Sequence, residues 1–396
     1  MSNRLFVKGG RVVTPEGVEE ADVFVENGRI AAIEPDAAER NALPGDRIVE
    51  AEGEWVLPGL VDIHCDAIEK EIEPRPNTLF PADMAFLQFE RKLAGHGITT
   101  MFHSLSLGVG LSLRGEHLVA DLIGRIAEWR KERAMIRHRV HLRYEVSHLT
   151  GFPLAERCIE QGLIDYLSFM DHAPGIGQYK RPGSFERYVM KNQGVALAEV
   201  HGIVAELQER RARVDWSKLA ALAAKAKKNG IAVASHDDDS PEQVDRSRRL
   251  GAEIAEFPLN LETADYAARQ GLGVCVGAPN VVRGGSHDLN LKALDAVRAG
   301  AADILCSDYH PASLLQAVFV LHREGIPLER AVAMASLHPA RALGRQNDIG
   351  SLEPGKRADL IVVKEVRGCP LASRTVVGGT LVMETRDYAD YDEASC

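Results

Sequence analysis

With 396 residues, 45% hydrophobic and 26% charged, the chain has the profile of an ordinary globular protein, long enough for one large domain and one small one. A formal net charge of −10 and the lack of a long Lys/Arg cluster argue against a nucleic-acid partner, yet leave room for a local basic pocket. No run of about 18 apolar residues occurs and Met1 to Gly10 holds no signal-length apolar segment, so no membrane partner is expected. The six cysteines (Cys65, Cys158, Cys275, Cys306, Cys369 and Cys396) form no CxxC pair. Cys275 and Cys306 fall in apolar runs as small buried hydrophobes do, which fits a reducing compartment, and the expected location is the cytoplasm.

In chain order, residues 4–57 read as short strands separated by turns. Asn27-Gly28 is a tight-hairpin signal. The same pattern resumes at Gly350–Val363 and Thr375–Val382, so the two chain ends are expected to fold together as one β-sandwich. The expected boundaries are residues 1–57 and 348–396 for the two parts of the sandwich and 58–347 for the inserted domain.

Within 58–347 short apolar runs alternate with helical stretches. The runs cover 60–65, 98–105, 139–146, 164–170, 230–235, 253–257, 272–277 and 302–306. Eight strands alternating with helices imply a parallel α/β sheet, and eight is the number that closes a TIM (β/α)8 barrel. An open doubly wound sheet competes, but no GxGxxG follows an early strand. The stretch 173–218, with Gly175, Gly177 and Gly183, is too long for an ordinary connection and is expected as an excursion over the barrel mouth.

Polar groups collect at the C-terminal ends of these runs. The first ends in His64 and Asp66, two residues apart and expected on one face of a strand. The third ends in Glu145, the fourth in Asp171 and His172, the fifth in His236 followed by Asp237–Asp239, and the eighth in Asp308. Each has a plain alternative: Asp308 as a cap for a helix near Pro311, His172 as a turn residue, the aspartates as a solvated loop. A single rim gathering all of them favours a metal centre.

Imidazole and carboxylate ligands suit Zn²⁺ first, then Mn²⁺ or Fe²⁺, and two ions about 3.5–4 Å apart can share a bridging carboxylate. The expected set is His64 and Asp66 on one ion, His172 and His236 on the other, and Glu145 as bridge. Asp308 joins the first ion and orients or deprotonates the attacking water, with His236 beside it as the second catalytic group. No lysine ends the fourth run, so a carbamylated-lysine bridge is not expected.

Anion-handling residues lie apart from these. Arg283-Gly284-Gly285-Ser286-His287 follows the seventh strand, where barrels often hold phosphate, and its glycines let backbone N–H groups approach. Lys70 and Arg75, after the first strand, are further cations.

The opening Leu57-Pro58-Gly59-Leu60-Val61-Asp62-Ile63-His64 and the close Gly355-Lys356-Arg357-Ala358-Asp359-Leu360 resemble the amidohydrolase superfamily. That resemblance implies a distorted TIM barrel beside a β-sandwich. One branch is especially similar, the PhnM family of the carbon–phosphorus lyase pathway. The matching segments are His64-Cys65-Asp66 with Lys70 and Pro74-Arg75-Pro76, Glu145, Met170-Asp171-His172-Ala173-Pro174-Gly175, Ser235-His236-Asp237-Asp238, Ala255-Glu256-Phe257-Pro258, Gly277-Ala278-Pro279-Asn280 through His287, and Ser307-Asp308-Tyr309. It implies a hydrolase that takes α-D-ribose 1-methylphosphonate 5-triphosphate to the 5-phosphate and diphosphate, by attack of a metal-activated hydroxide on the α-phosphorus. The expected partner is therefore a small phosphorylated ribose-phosphonate, and a homo-oligomer is compatible with the sequence. Two other readings stand: an amidohydrolase acting on C–N bonds (deacetylase, deaminase or cyclic amidase) and a non-catalytic scaffold.

Overall fold

The computed structural model describes residues 4–75, 78–108, 115–132, 134–180, 183–193, 197–286 and 290–385. Its sixteen strands form two sheets. The first takes both ends of the chain: β1 (Arg4–Thr14), β2 (Gly17–Glu26), β3 (Arg29–Glu34), β4 (Arg47–Glu50), β5 (Trp55–Pro58), then β14 (Leu360–Val366), β15 (Cys369–Val377) and β16 (Thr380–Glu384). Asn27 and Gly28 both adopt positive φ, 53° and 78°, which is the geometry a two-residue turn between right-twisted strands requires. β1 shifts register between Val7 and Gly10; its first half pairs with β4 and its second with β5. β14 then pairs with β5, and the leaves close over a core that includes Val7, Val23, Val56, Leu360 and Val376.

The second sheet is the barrel: β6 (Leu60–Cys65), β7 (Ile98–Leu107), β8 (Arg137–Glu145), β9 (Tyr166–Met170), β10 (Ala232–His236), β11 (Ile254–Glu256), β12 (Gly273–Gly277) and β13 (Ile304–Cys306). The eight strands run in sequence order and all seven neighbouring pairs are parallel. A Cys65–Asp308 bridge, with Asp308 N–H donating to His64 O (2.9 Å) and Asp66 N–H to Asp308 O (2.8 Å), nearly closes the ring. Each expected apolar run became one barrel strand. Alternation within them separates an outer core under the helices, such as Leu142, Leu167 and Leu305, from an inner one, such as Ile63, Phe102, Tyr166 and Ile254.

The excursion after the fourth strand is helical, with helices Ser184–Gln193 and Leu197–Ala212 joined by a small apolar cluster of Phe185, Val189 and Val200. Arg211 ties it to the rim through Asp171 (2.9 Å). Among the described residues no helix is long and apolar enough to cross a membrane.

Gly59 is the joint between the two sheets. Its N–H donates to Asp359 O (2.9 Å), and a Cβ there would lie 2.3 Å from Thr99 Oγ1 and 2.4 Å from its Cγ2. Thr99 is fully buried and cannot retreat. Gly59→Ala is therefore expected to lose about 1–3 kcal/mol through overpacking, read as a lower urea midpoint at unchanged m-value.

Candidate metal centre

At the C-terminal mouth of the barrel a cavity of about 300 Å³ is lined by Asp66, Arg143, His172, His236, Asp237 and Asp308 from the strand ends, with Tyr179, Phe257 and Asn280 around them. Strand register places these side chains. His236 lies directly opposite Glu256 in the β10–β11 pair, and Glu145 opposite Met170 in the β8–β9 pair. Three of the strand-end turns carry left-handed non-glycine residues: Asp237 (φ 58°), Phe257 (φ 53°) and Asp308 (φ 58°). Each costs on the order of 1 kcal/mol, strain of the kind concentrated at functional sites.

Two imidazoles are oriented by carboxylates. Glu145 Oε2 lies 3.3 Å from His172 Nδ1 and accepts from the His172 backbone N–H (3.2 Å). Glu256 Oε2 lies 3.2 Å from His236 Nδ1. With Nδ1–H given to a carboxylate, each ring turns its Nε2 toward Asp237 Oδ2, at 3.5 Å from His172 and 3.7 Å from His236. This carboxylate–imidazole arrangement is the one that fixes a metal-ligating histidine. The nitrogen at the focus, His172 Nε2, is buried with no aligned hydrogen-bond partner. His172, His236 and Asp237 each bring a ligand atom within 4.8 Å of the others, so the donors present fit a divalent ion.

A second grouping, His64, His141 and Glu256, lies deeper. Here His141 has both ring nitrogens hydrogen bonded to serines, Ser104 (3.0 Å) and Ser168 (2.8 Å), and Glu256 Oε1 accepts from the Tyr166 hydroxyl (2.9 Å). Those bonds make it a polar floor beneath the cavity. His64 belongs to both layers: its Nδ1 is 2.9 Å from Glu256 Oε1, and its ring stacks on His236 at 5.3 Å.

The residues expected from the sequence thus divide. His64, His172, His236 and Glu145 converge, but Glu145 meets His172 and is not in a ligand grouping with His64, unlike the bridge expected of it. The expected common face for His64 and Asp66 is not how the site is built. Val61 and Ile63 face the barrel interior, a register shift between Asp62 and Cys65 swings His64 inward as well, and Asp66 lies beyond the strand, just before helix Ala67–Ile72. Asp66 instead lies 3.7 Å from Arg143. Asp308 caps no helix and faces the cavity.

Of the anion-handling set, Arg283, Gly285 and Ser286 line the cavity, with Gly284 (φ 78°) ending the short helix Ala278–Arg283. Asn280 holds this loop by donating to Leu291 O (2.8 Å) and accepting from Ala293 N–H (3.0 Å). His287 lies outside the described residues. Lys70 and Arg75 are exposed and are not among the cavity's lining residues.

Sequence reasoning missed Arg143, His141, Asp237 and Glu256 as site residues. The buried Arg143 donates to His236 Nε2 (3.1 Å), the same lone pair an ion takes, while its other nitrogen faces Asp66. Ion binding at His236 and this hydrogen bond exclude one another. The missed signal was period-two spacing: His141, Arg143 and Glu145 share one face of β8, and only the last was read.

The electrostatics follow from burial and from Arg143. Desolvation, reinforced by Arg143, holds His64 and His236 well below the ordinary imidazole value, hence neutral. For His172 burial opposes the charged form, but Asp237 and Glu145 outweigh it and raise the ring to about 9. Burial and the Asp66 carboxylate push Asp308 up to about 7, against the pull of Arg143.

A family model for the amidohydrolase family matches residues 190–382. The alpha-D-ribose 1-methylphosphonate 5-triphosphate diphosphatase of Escherichia coli (strain K12) is 34% identical over 364 residues, covering 90% of this chain and 94% of that protein. This chain belongs to the PhnM family of the amidohydrolase superfamily. It is accordingly a hydrolytic enzyme. An adenine deaminase from Paracoccus denitrificans (strain Pd 1222) is more distant, 26% identical over 400 residues, and the PhnM-family chain spans 58% of its length. Among solved structures, a Xaa-Pro dipeptidase with bound methionine superposes with a TM-score of 0.65 at 15% identity, covering 96% of this chain and 99% of that one. A dihydropyrimidinase from Brevibacillus agri NCHU1002 gives 0.63 at 15% identity, with 97% and 95% covered, so the fold is shared with both proteins.

Asp308 yields a pH prediction. The folded state binds its proton more tightly than the unfolded chain, about 7 against 3.8. Its ionisation therefore costs stability progressively from about pH 4 to about pH 7, and the penalty is constant above that. In chelator-treated protein, the Tm gain of Asp308→Asn over the natural chain is expected to grow across that window and then level; a pH-independent difference contradicts the assignment.

Proposed function

We propose that this chain hydrolyses α-D-ribose 1-methylphosphonate 5-triphosphate to the 5-phosphate and diphosphate. The observation carrying the reading is that the cationic loop Arg283–Ser286 opens into the same cavity as the His172–His236–Asp237 focus, in a chain 34% identical to the Escherichia coli diphosphatase. A C–N amidohydrolase has less support, because the deaminase and imidazolonepropionase relatives are 22–27% identical.

We assign the divalent ion to His172, His236 and Asp237, with zinc favoured by the two imidazoles and a second ion left to the Asp66–Asp308 side. Such an ion supplies Lewis-acid polarisation of a phosphoryl oxygen and a nucleophile at neutral pH. The chain's own residues do the rest. Arg283, Ser286 and the Gly285 backbone hold the outer phosphoryl groups, so that the α-phosphorus faces the rim. Arg143, released from His236 toward Asp66, offsets charge developing on the equatorial oxygens. Asp308, poised near neutrality, takes the proton of the attacking water as the new O–P bond forms and the bond to the diphosphate oxygen breaks. Four buried free cysteines, Cys65, Cys158, Cys275 and Cys306, are consistent with a reducing cytoplasm.

Incubating the metal-loaded enzyme with the 5-triphosphate and following ³¹P NMR is expected to show diphosphate appearing with the 5-phosphate in equal amounts. Arg283→Gln is expected to lower kcat/KM by about 10–100-fold, mainly through KM, as loss of a charge-assisted contact does. Stepwise release of monophosphate, or no turnover, overturns the reading.

A further inference from the structure

The opposite, N-terminal mouth of the barrel holds a second cavity, of about 220 Å³. Arg137 and Arg139 from the start of β8 line it, together with Arg345, Arg357 and one carboxylate, Asp348, from the segment that leaves the barrel, and Phe102 and Ile349 form apolar wall. Arg139 is six residues before Glu145, so the cavity lies about 20 Å along the strand from the metal focus.

The charge count there is lopsided. Asp165 pairs with both Arg130 (3.1 Å) and Arg139 (3.3 Å), Asp348 with both Arg29 (3.2 Å) and Arg357 (2.7 Å), and Asp359 with Arg137. Arg345 has no ion pair among the described residues. Six guanidinium groups thus share three carboxylates, a local excess of three positive charges in a chain of net charge −10. Two of the carboxylates are already committed to backbone, Asp165 accepting from Val140 N–H (2.9 Å) and Asp359 from Gly378 N–H (2.8 Å). Burial, with Arg130, Arg345 and Arg137 nearby, holds Arg139 below its ordinary value despite Asp165. Side chains that repel one another around a cavity call for an anion, and all four lining cations are arginines, whose planar donor forks match phosphate oxygens two at a time.

We propose that this mouth is a second binding site, separate from the catalytic one, for a small phosphorylated anion such as inorganic phosphate or diphosphate. The site does not depend on the proposed reaction; it rests on the charge excess and the cavity alone. Arg345 is its discriminating residue, because it is exposed and has no ion pair among the described residues.

Equilibrium dialysis of the metal-loaded enzyme against ³²P-labelled phosphate and, in parallel, ³²P-labelled diphosphate tests it. For at least one of the two anions, a class of sites is expected that Arg345→Glu abolishes and Arg345→Ala weakens about 10-fold or more, with both variants keeping full turnover. The parallel arms show which anion the site takes. Binding of both anions that is unchanged in Arg345→Glu overturns the proposal, as does loss of turnover together with binding.

Discussion

The centre depends on one repeated interaction, a buried carboxylate holding Nδ1 of a histidine. Glu145 does this for His172 and Glu256 for His236. In each case the carboxylate fixes the ring's tautomer and its angle, leaving Nε2 to face Asp237. Glu256 is itself fixed from below by the Tyr166 hydroxyl, and burial, which would raise its carboxyl, is outweighed by His141, then His236 and Arg143. The polar floor of His141, Ser104 and Ser168 therefore belongs to the same device as the ligands above it. Buried networks of this kind need their polar atoms paired, and His141 at the centre of the floor has both ring nitrogens bonded.

Arg143 is the second element of the design. A guanidinium inside a barrel is costly unless paired, and it has two partners, His236 Nε2 and Asp66. Together with burial it holds His64 and His236 neutral, the form a metal requires, while competing for one of the same lone pairs. The strand-end turns at Asp237, Phe257 and Asp308 aim the remaining groups into the cavity at a cost in backbone strain, which the surrounding barrel sustains.

The architecture was legible because each barrel strand is a short apolar run bounded by polar residues, and because the Asn27-Gly28 turn and the strands at both ends announce a second sheet. The site was legible in part. His64, His172, His236 and Asp308 end their runs, and a polar group closing an apolar strand is conspicuous. Arg143 and His141 were hidden because they sit within a strand, one alternation below the rim. Glu145 was visible as a residue while its partner was not, since a contact with His172 depends on strand order. Asp66 reaches the cavity by a different route from the one its spacing suggests: the pattern His64-Cys65-Asp66 suits an extended strand, but the register shift and the helix at Ala67 end the extended geometry before Asp66. Lys70 and Arg75 are cations near the first strand in sequence, and their exposed positions reflect the helix that follows it.

The most direct test of the central claim is an anomalous difference map from crystals of the zinc-loaded protein. The account places the peak about 2.0–2.1 Å from Nε2 of His172 and of His236, with Asp237 completing the set. A peak bound by His64 and Asp66 while His172 stays bonded only to protein contradicts it.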